Sequence, residues 1–196
     1  MDSQRNAQGR TPELSPAEST ALAGYVNTLI AYDAVANVYS PTAYEKLDFH
    51  LQDAVHLANV IENPDTIVDL GSGSGLPSAI LAILYPESQI YAVESKERKH
   101  TFLVHLKATL GLPHFLPLHL DAESVLRQIR AGQIEATAIT AKAFMPPEKL
   151  TKMLQRFNRS LPPCYVPVSQ RQIENLEKML IPYQIVTSGG YFYLVM

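Results

Sequence analysis

From Ser15 onward, Leu22, Tyr25, Val26, Leu29 and Tyr32 recur three or four residues apart, the period of one face of an amphipathic helix. Ser-Pro-Ala-Glu at 15–18 supplies the serine, first-turn proline and early acid of a helix start. The stretch YEKLDFHLQDAVHLANVI carries the same period into a second helix and sets His50 and Asp53 one turn apart. That spacing suits a catalytic pair or, more simply, a hydrogen bond within the helix. Tyr25, Tyr32 and Tyr39 fall seven apart, which reads as a core-facing stripe rather than a base-stacking surface.

At Thr66 the pattern changes to alternating units. TIVDL, QIYAVE, HFLPLHL and ATAITAKA read as strands. Between and after them, LPSAILAILY, KERKHTFLVHLKATLG, AESVLRQIRAG and a segment following Pro146-Pro147 read as helices, two of them closed by Gly111 and Gly132. Such alternation predicts an α/β fold, a Rossmann-like, mostly parallel doubly wound sheet. YQIVTS, Gly189-Gly190 and YFYLVM predict an antiparallel hairpin at its end. The chain of 196 residues is long enough for one substantial core. We expect an unstructured leader over residues 1–15 and a single domain over 16–196, with helices over 16–62 and the Rossmann-like core over 66–196.

Composition narrows the classes. The sequence is 46% hydrophobic and 18% charged with a formal charge of −3, an ordinary globule with no overall basic bias toward nucleic acid. Cys164 is the single cysteine, so no intrachain disulfide and no cysteine-based zinc site is available, and no metal is expected. The polar N-terminus lacks a signal-peptide core, and no apolar run approaches a membrane span. A cytoplasmic protein is the expectation.

The candidate chemistry lies in TIVDLGSGSGLPSAIL, residues 66–81. In open parallel sheets the first strand-to-helix turn is the usual ligand cradle. Glycines admit a ligand close to the backbone, and a helix opening at Leu76-Pro77 would aim its amides there. A phosphate-binding P-loop needs Lys followed by Ser or Thr, and the turn offers Leu76, Pro77 and Ser78. A dinucleotide site prefers G-x-G-x-x-G, whereas Gly71, Gly73 and Gly75 are spaced G-x-G-x-G. The NAD reading is weakened but open. The third reading is S-adenosylmethionine (SAM), with the Asp69 carboxylate near the turn to meet an ammonium. Asp69-x-Gly71-x-Gly73-x-Gly75 resembles motif I of class I methyltransferases. Glu94, 23 residues after Gly71 at the end of the second strand, suits ribose hydroxyls in either cofactor. Asp121, Ala122 and Glu123 follow the third strand, where methyltransferases bind adenine.

HLQDAV, VDLGSGSGLPSAILAILYP, VESKERKHTFLVHLKATLGL, DAES and ITAKAF occur in the order and spacing of the RsmG (GidB) family of small-subunit ribosomal RNA guanine-N7 methyltransferases. Over roughly residues 22–160 the chain resembles that family. The resemblance implies a seven-stranded sheet and SAM-site positions at Gly71, Leu76, Ala122, Glu123 and Lys142, with Lys142 also facing methyl transfer; together with the turn and strand ends, the expected SAM site is Asp69, Gly71, Ser72, Gly73, Gly75, Leu76, Glu94, Ala122, Glu123 and Lys142. It implies 16S ribosomal RNA or the small ribosomal subunit as partner. Guanine N7 carries a lone pair and no proton, so no general base is required, and positioning supplies much of the rate.

The sequence departs from the family pattern at Ser40-Pro41, at Lys142 in place of an arginine, and at Val168-Ser169-Gln170. Lysine keeps the charge but loses the planar fork. Pro167 is also unexpected in an interior strand. These positions fall toward the RNA side. Two alternatives follow: a diverged SAM-binding protein without ribosomal RNA methylation, and a methyltransferase acting on another substrate. Residues 1–60 hold three Lys or Arg against seven Asp or Glu, a poor phosphate surface. Lys149, Lys152, Arg156 and Arg159, spaced three, four and three apart, form the one candidate RNA-binding stripe.

Overall fold

The computed structural model describes residues 5–6, 13–157, 161–179 and 183–196, with residues 5–6 as backbone only. Helix α1 (Pro16–Ala36) begins as expected: the Ser15 side chain accepts from the Glu18 amide, and the Glu18 carboxylate accepts from the Ser15 amide. A short turn, α2 (Pro41–Tyr44), precedes α3 (Leu47–Ala58). The alternating region follows as β2 (Thr66–Leu70), α4 (Ser78–Leu84), β3 (Gln89–Val93), α5 (Glu97–Leu110), β4 (Phe115–Leu118), α6 (Ala122–Arg130), β5 (Ala138–Thr140), α7 (Pro147–Gln155), β6 (Cys164–Val168) and α8 (Gln170–Lys178). The hairpin is β7 (Gln184–Ser188) and β8 (Tyr191–Val195), turned by Gly189 and Gly190 at φ +55 and +86. That left-handed pair is the backbone that a tight hairpin turn needs.

A two-residue strand, β1 (Arg5–Asn6), pairs in parallel with Val186 and Thr187 of β7. It lies within the stretch expected to be an unstructured leader and adds an edge to the seven strands β2 to β8. The other residues of the stretch 1–12 lie outside the described residues. The sheet order is β1-β7-β8-β6-β5-β2-β3-β4, with parallel pairing from β6 through β4 and antiparallel pairing of β8 with both neighbours. The order reverses between β2 and β5, and the crevice beyond their carboxyl ends is where such sheets hold ligands.

Both faces of the sheet are covered. Ile67, Ile80, Ile90, Phe102, Leu106 and Phe115 form one apolar layer with Tyr25 and Leu29 of α1. Val68, Leu70, Val93, Leu126, Ile139 and Leu150 belong to the other. Strand alternation sorts them: Ile67 points one way and Val68 and Leu70 the other, so Asp69 shares the α4 side with Ile67. Tyr25 and Leu29 are fully buried and Tyr32 packs on Phe102, so the tyrosine stripe of α1 is core.

Pro167 is accommodated by register. Cys164 exchanges both backbone hydrogen bonds with Met196, and Tyr165 accepts from Ala141 on the opposite side. Alternation then turns the position of the Pro167 nitrogen toward the β5 side, beyond the end of that strand at Thr140. No ladder bond is lost there. Ser169 caps α8, with its side chain accepting from the Gln172 amide, which gives a local reason for this departure from the family pattern.

Candidate functional site

The glycine turn after β2 is pinned on three sides. The amides of Gly71 and Ser72 both donate to the Val93 carbonyl at 2.9 Å, and the Gly75 amide donates to the Ser72 carbonyl at 2.8 Å. The Tyr25 hydroxyl, fully buried on α1, donates to the Ser74 carbonyl at 2.9 Å. Gly71, Gly73 and Gly75 all have positive φ, at +72, +58 and +84, a region that glycine enters without steric cost. They serve different ends. A Cβ at Gly71 would collide with the Phe144 ring, one at Gly75 would press on Ala79 and Leu106, and one at Gly73 would meet only Lys99 Nζ and the Gly71 carbonyl at 3.7 Å. Gly75 therefore permits close helix packing, while Gly73 leaves open space under a lysine.

A cavity of about 460 Å³ lies beside this turn, lined by Gly71, Glu94, Lys96, Lys99, Leu120, Ala122, Glu123, Phe144 and Met153 among others. Glu94 is 6% exposed. Its Oε2 accepts from the Gly73 amide at 3.0 Å and its Oε1 from the Lys96 amide at 2.8 Å. A carboxylate has about four acceptor sites, so both oxygens keep capacity for a diol. Ala122 opens α6, which is capped by Asp121 accepting from the Ser124 amide at 2.8 Å. The Ser124 donors hold the Asp121 carboxyl below its ordinary range. Glu123 at the cavity rim pairs with Arg156 at 2.5 Å and Arg127 at 3.7 Å.

Several residues expected in the site lie elsewhere. Asp69 is 1% exposed under the turn: its Oδ1 accepts from the Thr140 hydroxyl at 2.8 Å, and its Oδ2 lies buried near the Ser78 hydroxyl and amide without a hydrogen bond from either. Burial, partly offset by the donors around it, pushes the Asp69 carboxyl up. It faces α4 because strand alternation sends it there, and it does not line the cavity. Ser72 turns inward to donate to the Asp69 carbonyl at 3.0 Å, and Leu76 is 7% exposed in the core. Helix α4 starts at Ser78, after the cis Leu76-Pro77 bond, rather than at Leu76.

Lys142 does not line the cavity either. Its ammonium lies 2.5 Å from Asp53 Oδ2 on α3, both side chains nearly buried, which corrects the expectation of a hydrogen bond between His50 and Asp53. Burial pulls the Lys142 pKa down against the Asp53 charge, which raises it. The basic stripe is also broken up. Lys149 and Lys152 are exposed on α7, Arg156 lies past its end paired with Glu123, and Arg159 falls outside the described residues. Sequence reasoning passed over Lys96, Lys99, Phe144 and Met153. The lysines stand within the ESKERKH segment that resembles the family, and Phe144 and Met153 reach the cavity by loop and helix placement that no local pattern encodes.

The donor set suits SAM. Glu94 offers acceptors for a ribose diol, Lys96 and Lys99 offer cations for a carboxylate, and Leu120, Ala122 and Met153 give an apolar slot for a purine. The open space at Gly73 is the cradle a side chain would fill. Among the described residues no His, Cys, Asp or Glu group of three could hold a metal, and no helix is long and apolar enough to cross a membrane.

Comparisons with known proteins agree. A sequence model of the GidB family, rRNA small subunit methyltransferase G, matches residues 18–184. The ribosomal RNA small subunit methyltransferase G of Paracoccus denitrificans is 30% identical over 142 residues, 71% of this chain and 70% of that protein. Its counterpart in Francisella tularensis is 31% identical over 156 residues, 76% of this chain and 72% of that one. Among solved structures, a SAM-dependent methyltransferase from Aquifex aeolicus matches with a TM-score of 0.53 at 17% identity, covering 80% of this chain and 97% of that one. A structure described as a putative S-adenosyl-L-methionine-dependent methyltransferase from Methanococcus maripaludis matches with a TM-score of 0.55 at 13% identity, covering 96% of each. These two likenesses show the fold.

Proposed function

Because the chain belongs to the GidB family, rRNA small subunit methyltransferase G, and is a SAM-dependent methyltransferase, we propose that it methylates guanine N7 in 16S ribosomal RNA. The observation that carries the reading is the cavity beside the glycine turn. There Glu94 keeps acceptor capacity on both oxygens while accepting from Gly73 and Lys96. Glu94 would hold the ribose, Ala122 and Met153 the adenine, and Gly71 and Gly73 the approach of the methionine end. Lys99, beside Gly73, would meet the carboxylate; Asp69 would brace the turn from below.

Bound SAM would supply an electrophilic methyl group to the N7 lone pair, with the electrons of the broken carbon–sulfur bond left on sulfur. No proton leaves the base, so the protein needs no general base. Its own task is alignment, for which proximity and orientation can supply on the order of 7 kcal/mol or more. Exposed Lys149 and Lys152 remain for phosphates. With a ribosomal substrate the protein would work in the cytoplasm, with the small subunit or its RNA as partner.

The test is transfer of labelled methyl from SAM to small ribosomal subunits, and separately to their naked RNA, from cells lacking the family's enzyme. Label at a guanine N7 is the expected result. SAM binding with label on neither substrate would return the chain to a diverged cofactor-binding module or another acceptor.

A further inference from the structure

A second cavity, of about 610 Å³, opens beside the first, and Ala143 lines both. Its floor is charged and its rim aromatic. On the floor, Lys142 donates to Asp53 Oδ2 at 2.5 Å and to the His50 carbonyl at 3.2 Å. An ammonium has three donors, so among the described residues one N–H is left over where Lys142 borders the cavity. His50 borders it too, and burial followed by the Lys142 charge holds its imidazole below the ordinary range. On the rim, Phe49 is 54% exposed with its ring 5.2 Å from that of Tyr191.

We propose that this cavity receives the acceptor guanine, with Phe49 and Tyr191 stacking on the base and the spare N–H of Lys142 donating to O6. The inference rests on the guanine-N7 reading above and deepens it. Unstacked RNA bases are bound in this way, aromatic faces against the ring and polar groups on an edge. O6 and N7 lie on one edge of guanine, whereas adenine presents an amino donor in place of O6. A lysine donor there accepts guanine and opposes adenine. The Asp53 partner has its own use: methylation at N7 leaves positive charge on the base, which an unpaired ammonium would repel. Held by Asp53, Lys142 donates from a pair without net charge. Contact through Ala143 sets the acceptor against the cofactor cavity.

The test loads the full chain with S-adenosylhomocysteine and follows binding of guanosine and adenosine 5′-monophosphates by NMR of the aromatic side chains. The guanine nucleotide is expected to shift Phe49 and Tyr191 signals and to bind about tenfold more tightly than the adenine one, a difference of about 1.4 kcal/mol. Phe49→Ala, at an exposed position, should weaken it about tenfold with SAM affinity unchanged. Lys142→Gln with Asp53→Asn, which exchanges the buried pair for neutral amides, should erase the preference. Equal binding of the two nucleotides, no binding of either, or shifts confined to other residues overturns the proposal. So does a SAM affinity that falls in step with Phe49→Ala. Guanine-selective binding without methyl transfer to ribosomal RNA would instead overturn the ribosomal reading and leave the base site standing.

Discussion

The ring of Phe144 lies over Gly71, so closely that a Cβ at Gly71 would collide with it. This contact joins the glycine turn after β2 to the loop that follows β5, and β2 and β5 are the two strands at which the sheet order reverses. Gly71→Ala meets both the ring and a φ of +72, and the left-handed backbone alone costs about 1–2 kcal/mol. We expect a loss of stability on denaturant unfolding and weakened SAM binding. Adding Phe144→Ala should relieve the collision but not the backbone cost, so recovery should be partial. Wild-type SAM affinity in Gly71→Ala would show that the cofactor does not approach this turn.

Lys99 stands beside Gly73 without a side chain between them. A hydrogen bond to a charged partner contributes about 1.5–3 kcal/mol, so Lys99→Gln should weaken SAM binding by about ten- to a hundredfold. Decarboxylated SAM lacks the group that Lys99 would meet. Calorimetry should show little difference between wild type and variant for that ligand. An equal loss for both ligands would assign Lys99 to another part of the cofactor.

Asp69 is held under the turn with its carboxyl pKa raised by burial. Between the ordinary value of 3.8 and that raised value the folded chain binds more protons than the unfolded one, so its contribution to stability falls as pH rises through the window. Asp69→Asn keeps an acceptor for Thr140 and removes the pH-dependent loss. Unfolding free energies from acid to neutral pH should decline less steeply in the variant, with SAM affinity within a few-fold of wild type. A collapse of SAM binding would restore Asp69 to the cofactor site.

Tyr25 reaches from α1 to the Ser74 carbonyl. Tyr25→Phe leaves that carbonyl without its donor, at a cost of about 1–3 kcal/mol. Thermal unfolding should register the loss, and weaker SAM binding should accompany it because the turn loses the restraint that ties it to α1. Unchanged values in both would mean that α1 does not support the site.

Much of this was legible in the chain itself. Period and punctuation placed β2, β3 and β4, the α1 cap at Ser15 and the Gly189-Gly190 hairpin, because each depends on near neighbours: a capping side chain, a left-handed glycine, an alternating strand. The order of Asp69, Gly71, Gly73, Gly75, Glu94 and Ala122 along the alternating units pointed to a cofactor at the strand ends, and the family match bears out a SAM-dependent methyltransferase. What chain order could not encode is which way a side chain faces once the sheet is covered on both sides. One step along β2 sends Asp69 under α4, the buried pairing with Asp53 draws Lys142 out of the cofactor cavity, and an ion pair with Glu123 takes Arg156 from the basic stripe. Sequence alone determined the elements and their chemistry. Only the tertiary structure decided which charges meet, since a buried charge must find a partner across the fold and its partner here lies tens of residues away.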